Sequence, residues 1–527
     1  MFKVLVSDPI SDMGIQMLYD ASDVEVDKKP GLSEDELVTI IGEYDALLVR
    51  SQTKVTPRIM EAAPKLKVIG RAGVGVDNID LQAATKHGIV VINAPDGNTI
   101  ATCEHTFAMM MSVARSIPQA YKKTVSGEWD RKSFVGVELR NKTLGIIGMG
   151  RIGSEVAKRA KVFGMNVIGY DPFLTEDRAE KIGVKLGTVN DIAAAADFIT
   201  VHTPLTNETR HIVGPAQFAI MKKGVRIINC ARGGIVDENA LVAAIENGTV
   251  AGAAFDVFEQ EPPQASHPFL NNPSIIVTPH LGASTIEAQE NVAIDVSEEL
   301  LHILRNEPFK NAVNMPPVPA TVMSKLQPYF NLGEKLGLIA GQLTEGPVNE
   351  IVVSYSGDLA DVDTNPLTRY IVKGVFTQHL EGINLVNAMH MAKSRDINIT
   401  TQQSSTTGTF TNLVTITVKS KQGDRTLAGT LLAGYGERIV RIDQYPVDFA
   451  PEGSLLLISH NDKPGIIGRV GTLLGSNDVN IATMQVGRTV IGGSAIMVLT
   501  IDKTAPKEVI AELEKQPEIV NVRQLGI

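Results

Sequence analysis

The chain has 527 residues, with 49 Lys and Arg against 59 Asp and Glu, for a formal net charge of −10. That balance, without a long basic run, excludes a nucleic-acid surface, and the two cysteines, Cys103 and Cys230, exclude a disulfide framework. No uncharged apolar run approaches the roughly 20 residues that span a bilayer, so no membrane partner is expected.

At this length roughly three to four globular domains are expected. The opening Met-Phe-Lys-Val-Leu-Val enters a strand without a signal-peptide layout. With so few cysteines, this points to a cytoplasmic protein. Residues 1–100 alternate β runs with helical stretches, the clearest strands being 3–7, 46–49, 66–70 and 89–92. Such βα order predicts a mostly parallel sheet. Residues 98–115 read as an apolar helix.

From Thr143 the alternation restarts, with strands expected over 143–147, 166–170, 198–202, 226–229, 252–256 and 275–278. Six strands with intervening helices predict one doubly wound dinucleotide fold. An amphipathic helix over 284–305 follows, then a linker marked by Pro308, Pro316, Pro317 and Pro319. The layout predicts a Rossmann domain over 101–284, inserted into a smaller flavodoxin-like α/β domain made of 1–100 and 285–315. A ligand cleft is expected between them.

Residues 320–450 predict a further α/β domain without evident catalytic residues. Its clearest elements are a helix over 329–343 and strands over 350–355, 412–419 and 438–444. Residues 454–527 run βαββαβ, the ferredoxin-like order, whose exposed sheet edge points to an oligomer.

Within the second alternation, Gly148, Gly150 and Gly153 fit G-x-G-x-x-G between an apolar strand and a helix. The pattern supplies a tight turn, a close backbone approach to a pyrophosphate and helix N–H groups aimed at it. Asp171 ends the next strand, where a carboxylate accepts hydrogen bonds from a ribose and repels a 2′-phosphate, favouring NAD over NADP. Two further strand ends carry Thr203 and Arg232, the latter followed by two glycines that let backbone approach a ligand. Beyond Asp256 come Glu259 and Glu261, then His280 in Thr-Pro-His-Leu-Gly-Ala. A histidine oriented by a carboxylate can take a hydroxyl proton, and an arginine can hold a carboxylate in two parallel hydrogen bonds. Either glutamate qualifies as the partner on residue type.

These stretches together resemble the D-isomer-specific 2-hydroxyacid dehydrogenases, and most of all the long form that oxidises 3-phospho-D-glycerate. The resemblance covers essentially the whole chain. It implies that Arg232 binds the substrate carboxylate, that His280 is the acid/base and that Glu261, directly before Pro262, supports it. It assigns Arg151, Ile152 and Asp171 to the cofactor, with Thr203, Cys230, Asp256 and Gly282 on the nicotinamide side. For the substrate it implies Arg50 near a phosphate, the backbone of Gly73, Val74 and Gly75 at the carboxylate, Asn98, and Arg131 reaching a neighbouring subunit. Residues 454–527 resemble an ACT module, with Asp462 and Asn480 matching its ligand loop and L-serine as the implied effector. A homo-oligomer, dimer or tetramer, and no metal are expected. The nearest alternative is the same chemistry on another 2-oxo acid, such as 2-oxoglutarate.

Overall fold

A computed structural model describes residues 1–404 and 409–527. The first sheet has strands β1 (Phe2–Val6), β2 (Val24–Lys28), β3 (Ala46–Val49), β4 (Val68–Arg71) and β5 (Val90–Asn93). All pair in parallel in the order β2-β1-β3-β4-β5, the flavodoxin-like arrangement. Ala-Leu-Leu-Val in β3 is buried throughout, as a parallel strand covered on both faces requires. Side chains alternate across the sheet: Val4, Val6 and Leu48 pack with Val296 and Leu300, while Leu5 and Leu47 face Leu37 and Ile59. Val296 and Leu300 belong to helix Ile286–Leu304, so the chain returns to this sheet after the second one is complete.

The second sheet holds β6 (Thr143–Ile147), β7 (Asn166–Tyr170), β8 (Lys185–Leu186), β9 (Phe198–Val201), β10 (Val225–Asn229), β11 (Val250–Phe255) and β12 (Ile275–Val277). Its order is β12-β11-β10-β9-β6-β7-β8, doubly wound, with the switch between β6 and β9. Seven strands replace the six expected. The added one, β8, is two residues long and too short to leave a periodic signal. Helix Thr99–Arg115 packs on this sheet through Phe107, Met110 and Val113.

A mixed third sheet follows: β13 (Val348–Gly357), β14 (Asn398–Ser404), β15 (Asn412–Ser420), β16 (Arg425–Leu432), β17 (Gly436–Ile442) and β18 (Tyr445–Phe449), in the order β14-β13-β15-β16-β17-β18. Helices Phe330–Leu343 and Asn365–Phe376 cover one face, with Gly337 and Gly374 at their close crossing. The edge strands were invisible to pattern reading. β14 carries a single apolar residue, Ile399, among polar ones, and β18 carries Pro446, tolerated at an edge because no N–H is needed there.

The last sheet has β19 (Ser454–Asn461), β20 (Ile481–Arg488), β21 (Ser494–Ile501) and β22 (Ile519–Gly526), ordered β20-β21-β19-β22. Leu456, Ile458 and Met497 face its own two helices, whereas Leu455, Leu457, Ile496 and Val498 join the core of the third sheet. Part of the β20 edge is covered rather than open. At Gly487 a Cβ would collide with the carbonyl of Pro446 in β18.

Two segments tie this C-terminal half to the first sheet. Residues 311–314 run antiparallel along the edge of β5: Asn93 N–H donates to Asn311 O (3.3 Å), Val313 N–H to Val91 O (2.7 Å), and the Asn314 side chain accepts from Val91 N–H (2.9 Å). Asn384 Nδ2 donates to Gly88 O (2.8 Å), and Val386 enters the first sheet's core.

Candidate active site

The glycine turn between β6 and helix Arg151–Val162 is shaped by close approach. Gly148 has φ +96°, and a Cβ there would strike the His202 carbonyl; a Cβ on Gly153 would strike the carbonyl of Gly148. Gly150, by contrast, faces open space. The N–H groups at the start of the helix have no intrahelical acceptor and aim at that space. Asp171 braces the turn, accepting from Met149 N–H (2.9 Å) and Phe173 N–H (2.8 Å). The turn opens on a cavity of about 670 Å³ lined by Gly150, Arg151, Asp171, Phe173 and Arg178 on one side and by Asp96 and Thr99 on the other. Ile152 is half-buried against the second sheet's core.

A dinucleotide fits these groups. Buried Thr203 Oγ1, Thr99 Oγ1 and Asn98 Oδ1 have no partner among the described residues, and a buried polar atom left alone is costly. Cys230 is buried beside Asp256, and burial pushes its thiol far up, so it stays protonated and is no nucleophile.

His280 and Glu261 meet directly, with Nδ1 and Oε2 2.8 Å apart. Burial pushes the Glu261 carboxyl up. The His280 hydrogen bond and charge, the Phe258 N–H and the Arg232 charge outweigh it, and its pKa lies below the ordinary value. Glu259, the other candidate, is bound instead to His211 Nε2 (2.9 Å). Because Glu261 occupies Nδ1, Nε2 of His280 is the nitrogen left for a substrate.

Asp256 is 0% exposed and its carboxylate takes donors from the chain itself: Oδ1 accepts from Thr278 Oγ1 (2.6 Å) and Leu281 N–H (2.7 Å), and Oδ2 from Gly282 N–H (2.8 Å). It therefore holds the turn that carries His280.

Arg232 reaches across from the second sheet to the first. Its Nε lies 3.2 Å from Asp77 Oδ2, and its guanidinium rests on Gly75, where a Cβ would collide with it. Among the described residues the N–H groups of Val74 and Gly75 find no acceptor, which leaves them free for an anion. Arg50 is positioned through its backbone: its N–H donates to buried Asp8 Oδ2 (2.6 Å), and Asn78 Nδ2 donates to its carbonyl (2.7 Å). Arg71, at the carboxyl end of β4, opens the 71–78 stretch that resembles an anion-binding segment, but sequence reading gave it no role of its own. Burial, then the neighbouring Arg232 and Arg50 charges, brings its pKa down to about 10, and its Nε has no partner among the described residues. The rule that ligands gather at the carboxyl ends of parallel strands was the signal available for it.

Other predicted residues lie elsewhere. Arg131 is exposed, and no hydrogen bond or ion pair joins its side chain to another of the described residues. Asp462 follows β19 and binds Arg488 (2.8 Å) and Gly492 N–H (3.1 Å). Asn480 precedes β20 and binds Asp502 (2.8 Å). The register pairs Asn461 with Ser494 but Ile481 with Ile501, at opposite ends of β21. At about 3.3 Å per residue, the two sites stand roughly 25 Å apart along the strands. One protomer does not bring them together.

A dinucleotide turn and an Arg, Glu and His set at the strand ends of one sheet, with Arg232 reaching to Asp77 and Gly75 of the other, define a D-isomer-specific 2-hydroxyacid dehydrogenase. The family model for the NAD-binding domain of those enzymes matches residues 107–282, the model for the D-3-phosphoglycerate dehydrogenase intervening domain matches 325–443, and the ACT model matches 454–518. The chain is 48% identical to D-3-phosphoglycerate dehydrogenase of Bacillus subtilis and 47% identical to that of Methanocaldococcus jannaschii, covering 100% of this chain and of each relative. Among solved structures, D-lactate dehydrogenase of Aquifex aeolicus, complexed with NAD and lactic acid, aligns with TM-score 0.53 at 27% identity, over 60% of this chain and 99% of that one. The chain belongs to the D-3-phosphoglycerate dehydrogenase family.

Proposed function

We infer that the chain is an NAD-dependent oxidoreductase that converts 3-phospho-D-glycerate to 3-phosphooxypyruvate, the entry to serine synthesis. Its full-length similarity to D-3-phosphoglycerate dehydrogenases carries the reading. Likeness to D-lactate dehydrogenase stops at 60% of the chain, so activity on another 2-oxo acid is not favoured. Purified protein given NAD and 3-phospho-D-glycerate should form NADH, and much faster than with unphosphorylated glycerate. Equal rates would sink the assignment.

In the mechanism we propose, the substrate carboxylate lies on the Val74 and Gly75 N–H groups and the Arg232 guanidinium, which also polarises the oxygen at the reacting carbon. Arg50 and Arg71 supply the positive field for the phosphate. His280 takes the hydroxyl proton on Nε2, and Glu261 holds the ring and stabilises its cationic form. NAD, when bound, provides the hydride acceptor. The glycine turn, Asp171 and Thr203 would hold it. The chain passes between the two sheets at residues 94–99 and again at 278–286, so closure about these crossings would exclude water and align the reacting atoms.

For the ACT module we propose L-serine as effector, bound where Asp462 of one copy meets Asn480 of another, since one copy separates them. A homodimer or tetramer is part of this reading. Trp129 (83% exposed) and Val135 (87% exposed) flank Arg131 and favour burial against a second copy, which would carry Arg131 toward its neighbour's cleft. No helix among the described residues is long and apolar enough to cross a membrane, and we place the protein in the cytoplasm. If saturating L-serine left activity and melting midpoint unchanged, the effector role would be abandoned.

A further inference from the structure

We propose that His105 is a positioning residue for the reaction: from helix Thr99–Arg115 it locks the buried aspartate that holds the His280 turn in place. The inference rests on the role given above to His280.

The turn from Thr278 to Gly282 has no regular structure to fix it. His280 sits at φ +56°, which a non-glycine residue keeps only where its surroundings impose it. Asp256 imposes it from both sides. Its carboxylate takes the Thr278 hydroxyl before His280 and the Leu281 and Gly282 N–H groups after it, while its backbone carbonyl accepts the N–H of His280 itself (2.8 Å).

A carboxylate this deeply buried must be fully satisfied or it destabilises everything it holds. The fourth partner is His105, whose Nε2 stands 3.2 Å from Asp256 Oδ1 and 3.3 Å from Thr278 Oγ1. An ionised carboxylate only accepts, and the Thr278 hydroxyl has already given its proton to Asp256. Both atoms facing the imidazole are therefore acceptors, and His105 must carry its hydrogen on Nε2. Burial raises the Asp256 pKa, yet His105 heads the donors that together bring it below the ordinary value.

His105 is part of a helix face fitted to this turn. Three residues earlier, Thr102 Oγ1 donates to Gly282 O (3.2 Å); four residues later, Met109 Sδ lies 3.9 Å from Thr278 Oγ1. Positions 102, 105 and 109 share one helical face. The same helix starts at the chain's first crossing into the second sheet, so the catalytic turn is moulded on an element already fixed to the cofactor's domain.

The test uses the full-length enzyme with His105→Leu, which removes the donor, His105→Gln, whose amide nitrogen replaces it, and His105→Asn, which is polar but too short to reach. Two measurements are made on each: steady-state kinetics with NAD and 3-phospho-D-glycerate, and deuterium exchange of the 278–284 peptide without ligands. We expect His105→Leu and His105→Asn to lower kcat by about tenfold to a hundredfold, as small misplacements of a catalytic group do. Both KM values should stay within about twofold, and Leu281 and Gly282 should exchange faster. His105→Gln should restore most of the kcat and the slow exchange. Unchanged exchange in His105→Leu and His105→Asn overturns the proposal whatever the turnover. Faster exchange with full kcat overturns it as well, because the turn would then not need holding. If the unmodified enzyme fails on this substrate, the functional reading falls separately, and exchange alone decides whether His105 holds the turn.

Discussion

Arg151, at the mouth of the glycine-turn helix, pairs with Asp96, in the loop by which the chain leaves the first sheet. Both line the cavity in which the dinucleotide is placed, so a carboxylate competes with the cofactor's pyrophosphate for one guanidinium. Asp96→Asn should tighten NAD binding. Exposed pairs contribute about 0–1 kcal/mol, so the gain in Kd should not exceed about fivefold, and it should fade at high salt. Fluorescence titration at two ionic strengths measures both effects, and weaker binding in the variant would refute the competition.

His280→Ala should leave NADH binding within about twofold while kcat falls by about a hundredfold or more, the usual loss with a general base. Titrating NADH fluorescence alongside turnover separates the two. Retained turnover would remove His280 from the chemistry.

The two glutamates should behave differently. Glu261→Gln removes the anion at His280 Nδ1, which disfavours the imidazolium formed as the hydroxyl proton moves. The kcat should fall while both KM values stay within about twofold. Glu259→Gln, which touches His211 instead, should leave kcat nearly unchanged. An equal fall in the two variants would mean the sequence preference for Glu261 picked the wrong partner.

Asp256→Asn should lower the melting midpoint at pH 7, by the equivalent of about 1–3 kcal/mol, since an amide cannot accept every donor now converging there. The native pKa of Asp256 is depressed, so its stabilisation is fully present above the unfolded value near 3.8 and is lost as pH falls toward the native one. The gap between variant and parent, followed by calorimetry, should therefore narrow in acid. A gap that widened would contradict the sign.

Arg71→Gln should raise KM for 3-phospho-D-glycerate by about tenfold or more, the size of a lost charge-assisted hydrogen bond, with KM for NAD little changed. An equal loss on an unphosphorylated substrate would place Arg71 at the carboxylate rather than the phosphate.

Much of this arrangement was legible in the sequence because it is local. The glycine turn, Asp171 and the strand-end Arg232 announce themselves by spacing, and strands such as β6, β7 and β21 run over the residues their apolar pattern marks. What stayed hidden depends on distant contacts. Arg71 reads as an ordinary charge at a strand end until Arg232 and Arg50 are brought beside it. His105 lies in a helix that reads as core, and only the fold sets it against Asp256. The third sheet was half legible, since its edge strands carry polar residues or proline where a buried strand would alternate.

The strip 311–314 along β5 also bears on how this chain can be divided. It occupies hydrogen-bonding groups of an outermost strand that would otherwise be open to pairing with another molecule. A fragment cut after helix Ile286–Leu304 would keep every residue assigned to catalysis yet leave that strand bare, and self-association follows from such an edge. The shortest well-behaved dehydrogenase fragment therefore ends beyond Asn314.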